Sequence, residues 1–220
     1  MAIDITSYNR INKELAPFGA HLVAVSKTKP VEDILALYNH GHRDFGENYV
    51  QELVEKQKAL PADIRWHFIG HLQGNKAKAI APFIYLVHGV DSTGLLRELD
   101  KQGAKNERVI NCLLQVHIAK EETKFGLSWD QTASILADPA LPAMKHVTIR
   151  GMMGMATLTD DETQVKKEFM KLRNFFDNYR SAGLPGFDIL SMGMTSDYPF
   201  ALAAGSNMVR IGSAIFGERQ

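Results

Sequence analysis

Short, nearly continuous apolar runs alternate along the chain with segments whose apolar positions recur at helical spacing. The runs are HLVAVSK (21–27), DFGEN (44–48), RWHFIG (65–70), YLVHGVD (85–91), VINCLLQVHI (109–118), TIRGMMGMAT (148–157), DILSMGM (188–194) and MVRIGSAIFG (208–217). They are rich in Val, Ile and Phe, and most are bounded by Gly, Ser, Asp or Asn. Runs that stay apolar for most of their length fit parallel strands covered on both faces. Between them, VEDILALYNH, NYVQELVEKQKAL, STGLLRELDKQ, SWDQTASILA and DETQVKKEFMKLRNFFDNYRSAG read as amphipathic helices. Ser92 is placed to cap one of these, and Gly183 to stop the longest. A further helix is expected ahead of the first strand, from about Ile3 to Leu15. Eight strand–helix pairs are the count of a closed (β/α)8 barrel of the TIM type. A doubly wound open sheet shows the same alternation, and periodicity alone does not separate the two. No Pro/Gly/Ser linker or internal repeat divides residues 1–220, so the reading is one α/β domain: a single barrel with an extra N-terminal helix.

Composition narrows the class. The 220 residues are 45% hydrophobic, enough for a substantial core and against disorder. The 25 Lys and Arg are offset by 25 Asp and Glu, so no global basic field invites nucleic acid or an anionic membrane, although a local anion site stays open. The one cysteine, Cys112, excludes an internal disulfide and gives no sign of an oxidising compartment. The N-terminus lacks a signal-peptide core, and the apolar stretches fall far short of the roughly 20 residues that span a bilayer. A cytoplasmic globular protein is expected.

A barrel carries its chemistry at the C-terminal ends of its strands, with phosphate commonly held after strands 7 and 8. In the first strand Val23, Val25 and Lys27 share one face. If that face is the interior, Lys27 enters it from the rim as an amine suited to Schiff-base chemistry; otherwise it is a rim lysine in a polar loop. Lys29 lies beyond the strand, beside Pro30, and is expected to be solvated. Asn48, after the second strand, reads first as a helix N-cap and second as a ligand contact. The stretch from Gly70 to Lys76 fails the phosphate-loop template, since three residues separate its glycines and Ala77 stands where Ser or Thr should hold magnesium. His67 and His71 are roughly 13 Å apart on a strand, too far for one metal. His40 and His42 flank Gly41 in a turn and are expected to face solvent. In the seventh segment Ser191, Met194, Thr195 and Ser196 end a strand and open a helix. That place suits an anion cradle or a plain turn with a Thr/Ser cap. Arg210 interrupts an apolar strand and must find a polar partner, either a ligand or a carboxylate bridge, with Gly212 and Ser213 one step nearer the rim.

Taken together, AVSKTKP (24–30), FGENYVQE (45–52), WHFIGHLQGNK (66–76), IRGMM (149–153), SMGMTSD (191–197) and VRIGSAIFGER (209–219) closely resemble the pyridoxal phosphate homeostasis protein (YggS/PROSC) family. The fold of that family is like the N-terminal barrel of alanine racemase. The resemblance runs from the first strand to the last. It implies pyridoxal 5′-phosphate (PLP) held as an aldimine on Lys27, with Arg210 facing the pyridine nitrogen and Gly212 and Ser213 at the phosphate. It implies further that Ser191, Met194, Thr195 and Ser196 line phosphate and ring, and that Asn48 lies near the cofactor. An arginine at the ring nitrogen keeps it unprotonated and weakens the ring as an electron sink. Thr195 replaces a common Ser and keeps the hydroxyl; Gly74 stands where Ser or Thr is common, and His71 at a variable position.

The same resemblance implies a PLP carrier or regulator without substantial turnover, because racemase chemistry takes a second base, a tyrosine, from a C-terminal β-domain that the chain is expected to lack. An amino-acid racemase using Tyr49 or Tyr198 is the alternative, and a Schiff-base aldolase without PLP a third reading. The implied partners are PLP and apo PLP-dependent enzymes, with no nucleic acid or membrane and a monomeric or weakly dimeric state.

Overall fold

The structure, a computed structural model, describes residues 3–121, 123–184 and 186–218. They form eight strands that close into a parallel barrel in sequential order: β1 (His21–Val25), β2 (Asp44–Glu47), β3 (Arg65–Phe68), β4 (Leu86–Val90), β5 (Ile110–Gln115), β6 (Val147–Met153), β7 (Ile189–Ser191) and β8 (Met208–Ile211). Pairing of β1 with β8, Val23 opposite Arg210, completes the circle. Closure settles the choice that periodicity left open: the sheet is a barrel and not doubly wound.

Helices wrap the outside: α1 (Ile5–Leu15), α2 (Val31–Asn39), α3 (Val50–Ala59), α4 (Gly74–Ile80), α5 (Thr93–Lys105), α6 (Trp129–Leu136), α7 (Glu162–Ser181), α8 (Tyr198–Ala203) and the short α9 (Ser213–Phe216). The longest shows why they form. Asp161 caps α7 by accepting the Thr163 and Gln164 N–H groups, and Val165, Phe169, Leu172 and Phe176 make one buried stripe at helical spacing. Each such side chain stabilises the fold by about 1.5–3 kcal/mol through removal from water. Gly183 follows the C-cap with φ +79°, as the stop requires. Ser92 caps α5 by accepting the Leu95 N–H.

The apolar residues divide into two bodies. The larger lies between barrel and helices and includes Ala24, Phe45, Trp66, Phe68, Val209 and Ile211. The smaller fills the barrel with Val23, Leu86, Leu113, Met153 and Met208. Alternation along β1 and β8 separates them, so Val23 faces in and Ala24 out.

Several expectations need correction. The eighth apolar run is strand only to Ile211; the rest turns into α9, whose Ile215 carbonyl accepts the Asp4 N–H and ties the chain's beginning to its end. The first helix starts at Ile5 because Asp4 caps it. His40 is exposed, but His42 is buried under α1. Its Nε2–H donates to the Asp44 carbonyl at 2.8 Å, and its Nδ1 lies 3.3 Å from the Tyr8 hydroxyl. Burial pulls the His42 pKa down to about 4.

Candidate functional site

The C-terminal mouth of the barrel holds a cavity of about 390 Å³. Lys27 reaches it because Val25 and Lys27 continue the inward parity of Val23, and both line the cavity. Lys27 is half-buried. From the opposite wall comes Arg210, also on an inward position, only 4% exposed. Its Nη1 donates to the Ser191 carbonyl at 3.0 Å and the Ser191 hydroxyl at 2.6 Å, and its Nη2 to the Gly154 carbonyl at 3.2 Å. Burial lowers the guanidinium to about 10, against the field of Asp197, so it keeps its charge at neutral pH. None of these direct partners is a carboxylate, so the carboxylate-bridge alternative is not what holds Arg210.

Hydroxyls and backbone complete the walls. Thr195 and Ser213 both line the cavity, and their hydroxyl oxygens lie 3.3 Å apart. Met194 and Gly212 lie beside them. The loop from Met194 to Asp197 is shaped by Asp197, whose carboxylate accepts the Met194 N–H at 2.6 Å. Asp197, and neither Thr195 nor Ser196, is the N-cap residue of α8, without a side-chain cap bond. Asn48 is likewise not a cap: Tyr49 holds that place ahead of α3. Instead Asn48 lies on the cavity wall, and its Oδ1 is buried without a hydrogen-bond partner among the described residues.

Seven of the nine predicted residues therefore share one cavity: Lys27, Asn48, Met194, Thr195, Arg210, Gly212 and Ser213. Ser191 does not line it, since it is fully buried behind Arg210. Ser196 lies in a neighbouring cavity of about 420 Å³, with Lys124 and Thr157. Ser191 faces the barrel interior as Arg210 does but lies level with Met208, one step deeper, and Ser196 is turned aside in the loop that leads into α8. Sequence reasoning missed Lys29. Expected in solvent, it is half-buried and lines the cavity, and its Nζ donates to the Gly217 and Glu218 carbonyls at 3.0 and 2.9 Å. Its shared parity with Lys27 was the available signal. Neither Tyr49 nor Tyr198 lines the cavity; the first is 57% exposed, and the hydroxyl of the second is bonded to Glu14 and Arg10.

His67 and His71 serve different ends. His67 is buried inside the barrel, whereas His71 pairs with Asp91 at 2.9 Å and stacks on Phe125. Among the described residues no group of three or more His, Cys, Asp or Glu side chains is arranged to hold a metal ion.

Fold and pocket define a (β/α)8 barrel with three cationic side chains, Lys27, Lys29 and Arg210, and a hydroxyl pair at its C-terminal mouth. Residues 6–220 match the family described as alanine racemase, N-terminal domain. The chain is 40% identical over 205 residues to the pyridoxal phosphate homeostasis protein of Pasteurella multocida, covering 90% of this chain and 86% of that one. It is 36% identical over 214 residues to that of Synechocystis sp., covering 96% and 97%. The chain thus belongs to the alanine racemase N-terminal domain family, among its pyridoxal phosphate homeostasis proteins. PipY of Synechococcus elongatus superposes with a TM-score of 0.88 without PLP and 0.86 with PLP bound, at 34% identity over 96% of this chain and 99% of that one. Alanine racemase from Bartonella henselae shares the fold at a TM-score of 0.70 and 18% identity, with this chain covering 58% of it.

Proposed function

We propose that the protein binds PLP at the C-terminal mouth of the barrel and acts in PLP homeostasis as a carrier without substantial turnover of its own. The observation that carries this reading is the cavity where the Lys27 amine, the Arg210 guanidinium and the Thr195 and Ser213 hydroxyls meet. When bound, PLP supplies an aldehyde for an amine, a ring nitrogen that accepts a hydrogen bond, and a phosphate. The residues present fit all three needs. Lys27 would hold the cofactor through Nζ. Arg210, charged at neutral pH, would donate to the ring nitrogen and leave it unprotonated. Thr195, Gly212 and Ser213 would hold the phosphate at the rim, where a barrel commonly binds one. The Asn48 side chain, on the same wall, would offer its amide N–H to a cofactor oxygen. The names of the curated relatives and the PLP-bound form of PipY support the same reading.

Lack of turnover is supported by the place of the two tyrosines, since neither stands where it can move a proton on the face opposite Lys27. No described helix is long and apolar enough to cross a membrane. A cytoplasmic protein that hands PLP to apo PLP-dependent enzymes, as a monomer or weak dimer, completes the proposal.

Borohydride reduction of the yellow protein is expected to fix one phosphopyridoxyl group on the Lys27 peptide by mass spectrometry, and Lys27→Ala to abolish it. Colourless protein that never takes up PLP would sink this function. Racemisation of L-amino acids on prolonged incubation, abolished by Lys27→Ala, would replace the carrier with a racemase.

A further inference from the structure

A line of buried polar side chains runs through the barrel from one mouth to the other. It starts at Asp44, the first residue of β2, on the wall of a second cavity of about 390 Å³ at the N-terminal mouth. There the Asp44 carboxylate is held in a two-bond pair by Arg65. Asp44 Oδ1 lies 3.0 Å from His67 Nε2, and His67 Nδ1 lies 3.0 Å from His88 Nε2. His88 Nδ1 lies 3.2 Å from the Ser191 hydroxyl, which in turn lies 2.6 Å from Arg210 Nη1. His67, His88 and Ser191 are fully buried. Four strands, β3, β4, β7 and β8, supply one member each after Asp44, so only closure of the barrel brings the line together.

Its two ends determine which way each proton points. A guanidinium only donates and an ionised carboxylate only accepts. Burial would raise the Asp44 carboxyl, but its hydrogen bonds from Arg65 and His67 hold it well below the usual carboxylate range. Burial also holds both imidazoles below their ordinary range, so each is neutral, with one donor and one acceptor nitrogen. Asp44 then requires the proton of His67 on Nε2. That leaves His67 Nδ1 to accept from His88 Nε2–H, and His88 Nδ1 to accept the Ser191 proton. The Ser191 lone pairs face Arg210. Exchanging the tautomer of either imidazole sets two N–H groups, or two lone pairs, against each other among fully buried side chains.

We propose that Asp44, His67, His88 and Ser191 are positioning residues, a one-way hydrogen-bonded chain that anchors Arg210 from behind and keeps its guanidinium turned as a donor into the C-terminal cavity. The role rests on the assignment of Arg210 to the PLP ring nitrogen. A set of polar side chains that merely fills the barrel would leave the cofactor indifferent to changes at the far mouth; the chain makes it sensitive to them.

Two measurements decide. Long-range proton–nitrogen NMR of the PLP-free, nitrogen-15-labelled protein at neutral pH should show His67 and His88 neutral, each with its proton on Nε2. An imidazolium or an Nδ1–H tautomer at either residue would overturn the chain, whatever binds at the mouth. In the PLP-loaded protein, Ser191→Ala should weaken PLP binding about tenfold, the worth of one hydrogen bond to a charged group, and shift the bound-PLP absorption band. Ser191→Thr, which restores the hydroxyl, should recover both. Asp44→Ala, at the opposite mouth, should mix the tautomers of both histidines and move the same absorption band. Variants that lower the melting temperature but keep wild-type affinity, band position and tautomers would reduce the chain to packing. If Ser191→Ala does not fold, the wild-type tautomers and Asp44→Ala still decide. Failure of the wild type to take up PLP is a separate result, which removes the cofactor reading; uptake unchanged by Ser191→Ala removes only the positioning role.

Discussion

Two buried polar networks stand behind Lys27 and Arg210, built on opposite electrostatic plans. Behind Lys27, between the barrel and α3, the plan is ionic. Lys56 Nζ donates to the Ser26 carbonyl at 2.7 Å, to Glu47 at 2.8 Å and to Glu52 at 2.6 Å, and the Ser26 hydroxyl donates to Glu47 at 2.6 Å. Glu52 also accepts the Thr28 N–H at 2.6 Å. Both neighbours of Lys27 are thereby pinned, and Thr28 is held at φ +63°, a region that non-glycine residues seldom occupy. Behind Arg210 the plan is neutral: two imidazoles and a hydroxyl carry orientation across the barrel with net charge only at the ends. Ions close to a loop fix its backbone strongly but leave a charge stranded when one member goes. A neutral chain reaches further and loses one hydrogen bond at a time.

The largest expected effect comes from breaking the ionic plan. Lys56→Met strands the fully buried Glu47 and should cost about 3–5 kcal/mol in denaturant unfolding. Adding Glu47→Gln should return much of that loss, because the neutral pair no longer asks for a buried charge to be compensated. If the single and double variants are equally unstable, side-chain volume and not charge is what matters there.

On the neutral side, Ser191→Ala leaves His88 Nδ1 without its donor and should cost about 1–3 kcal/mol in the PLP-free protein by the same measurement. A loss as large as that of Lys56→Met would erase the distinction between the two plans.

Acid sharpens the contrast with the smallest effect. His42 has its pKa lowered from 6.5 to about 4, so the stability it contributes is fully present above 6.5 and is lost as pH falls toward 4. His67 and His88 are shifted in the same direction. Glu47 is shifted upward by burial, so its contribution is present at low pH and declines as pH rises. Acidification between those limits should therefore weaken the imidazole side and spare the ionic cluster. His42→Gln should lose less stability than the wild type across that interval in thermal melts. An identical acid slope for the two proteins would show that this imidazole does not gate acid unfolding.

Much of this was legible in the chain. Eight apolar runs separated by amphipathic segments specify a (β/α)8 count, because a strand covered on both faces and a helix covered on one carry different periods. Inward parity placed Lys27 at the mouth, and the cost of burying a guanidinium marked Arg210 as partnered. Parity alone did not settle placement: Ser191 faces inward but lies behind the arginine, and Lys29, which shares the parity of Lys27 but was expected to be solvated beyond the strand, turns in to hold Gly217 and Glu218. His42, which flanks Gly41 in a turn, is expected in solvent, yet α1 covers it from far along the chain.

The local pattern thus determined strand and helix order, the count of eight strand–helix pairs and the placing of Lys27 and Arg210, since each depends on residues close in sequence, whereas closure into a barrel was decided by the pairing of β1 with β8. Which buried polar group meets which was decided only by tertiary structure. Asp44, His67, His88, Ser191 and Arg210 lie on five strands, and no local preference relates them. Closure of the barrel brings their inward faces together, and their burial then obliges each donor to find an acceptor within reach.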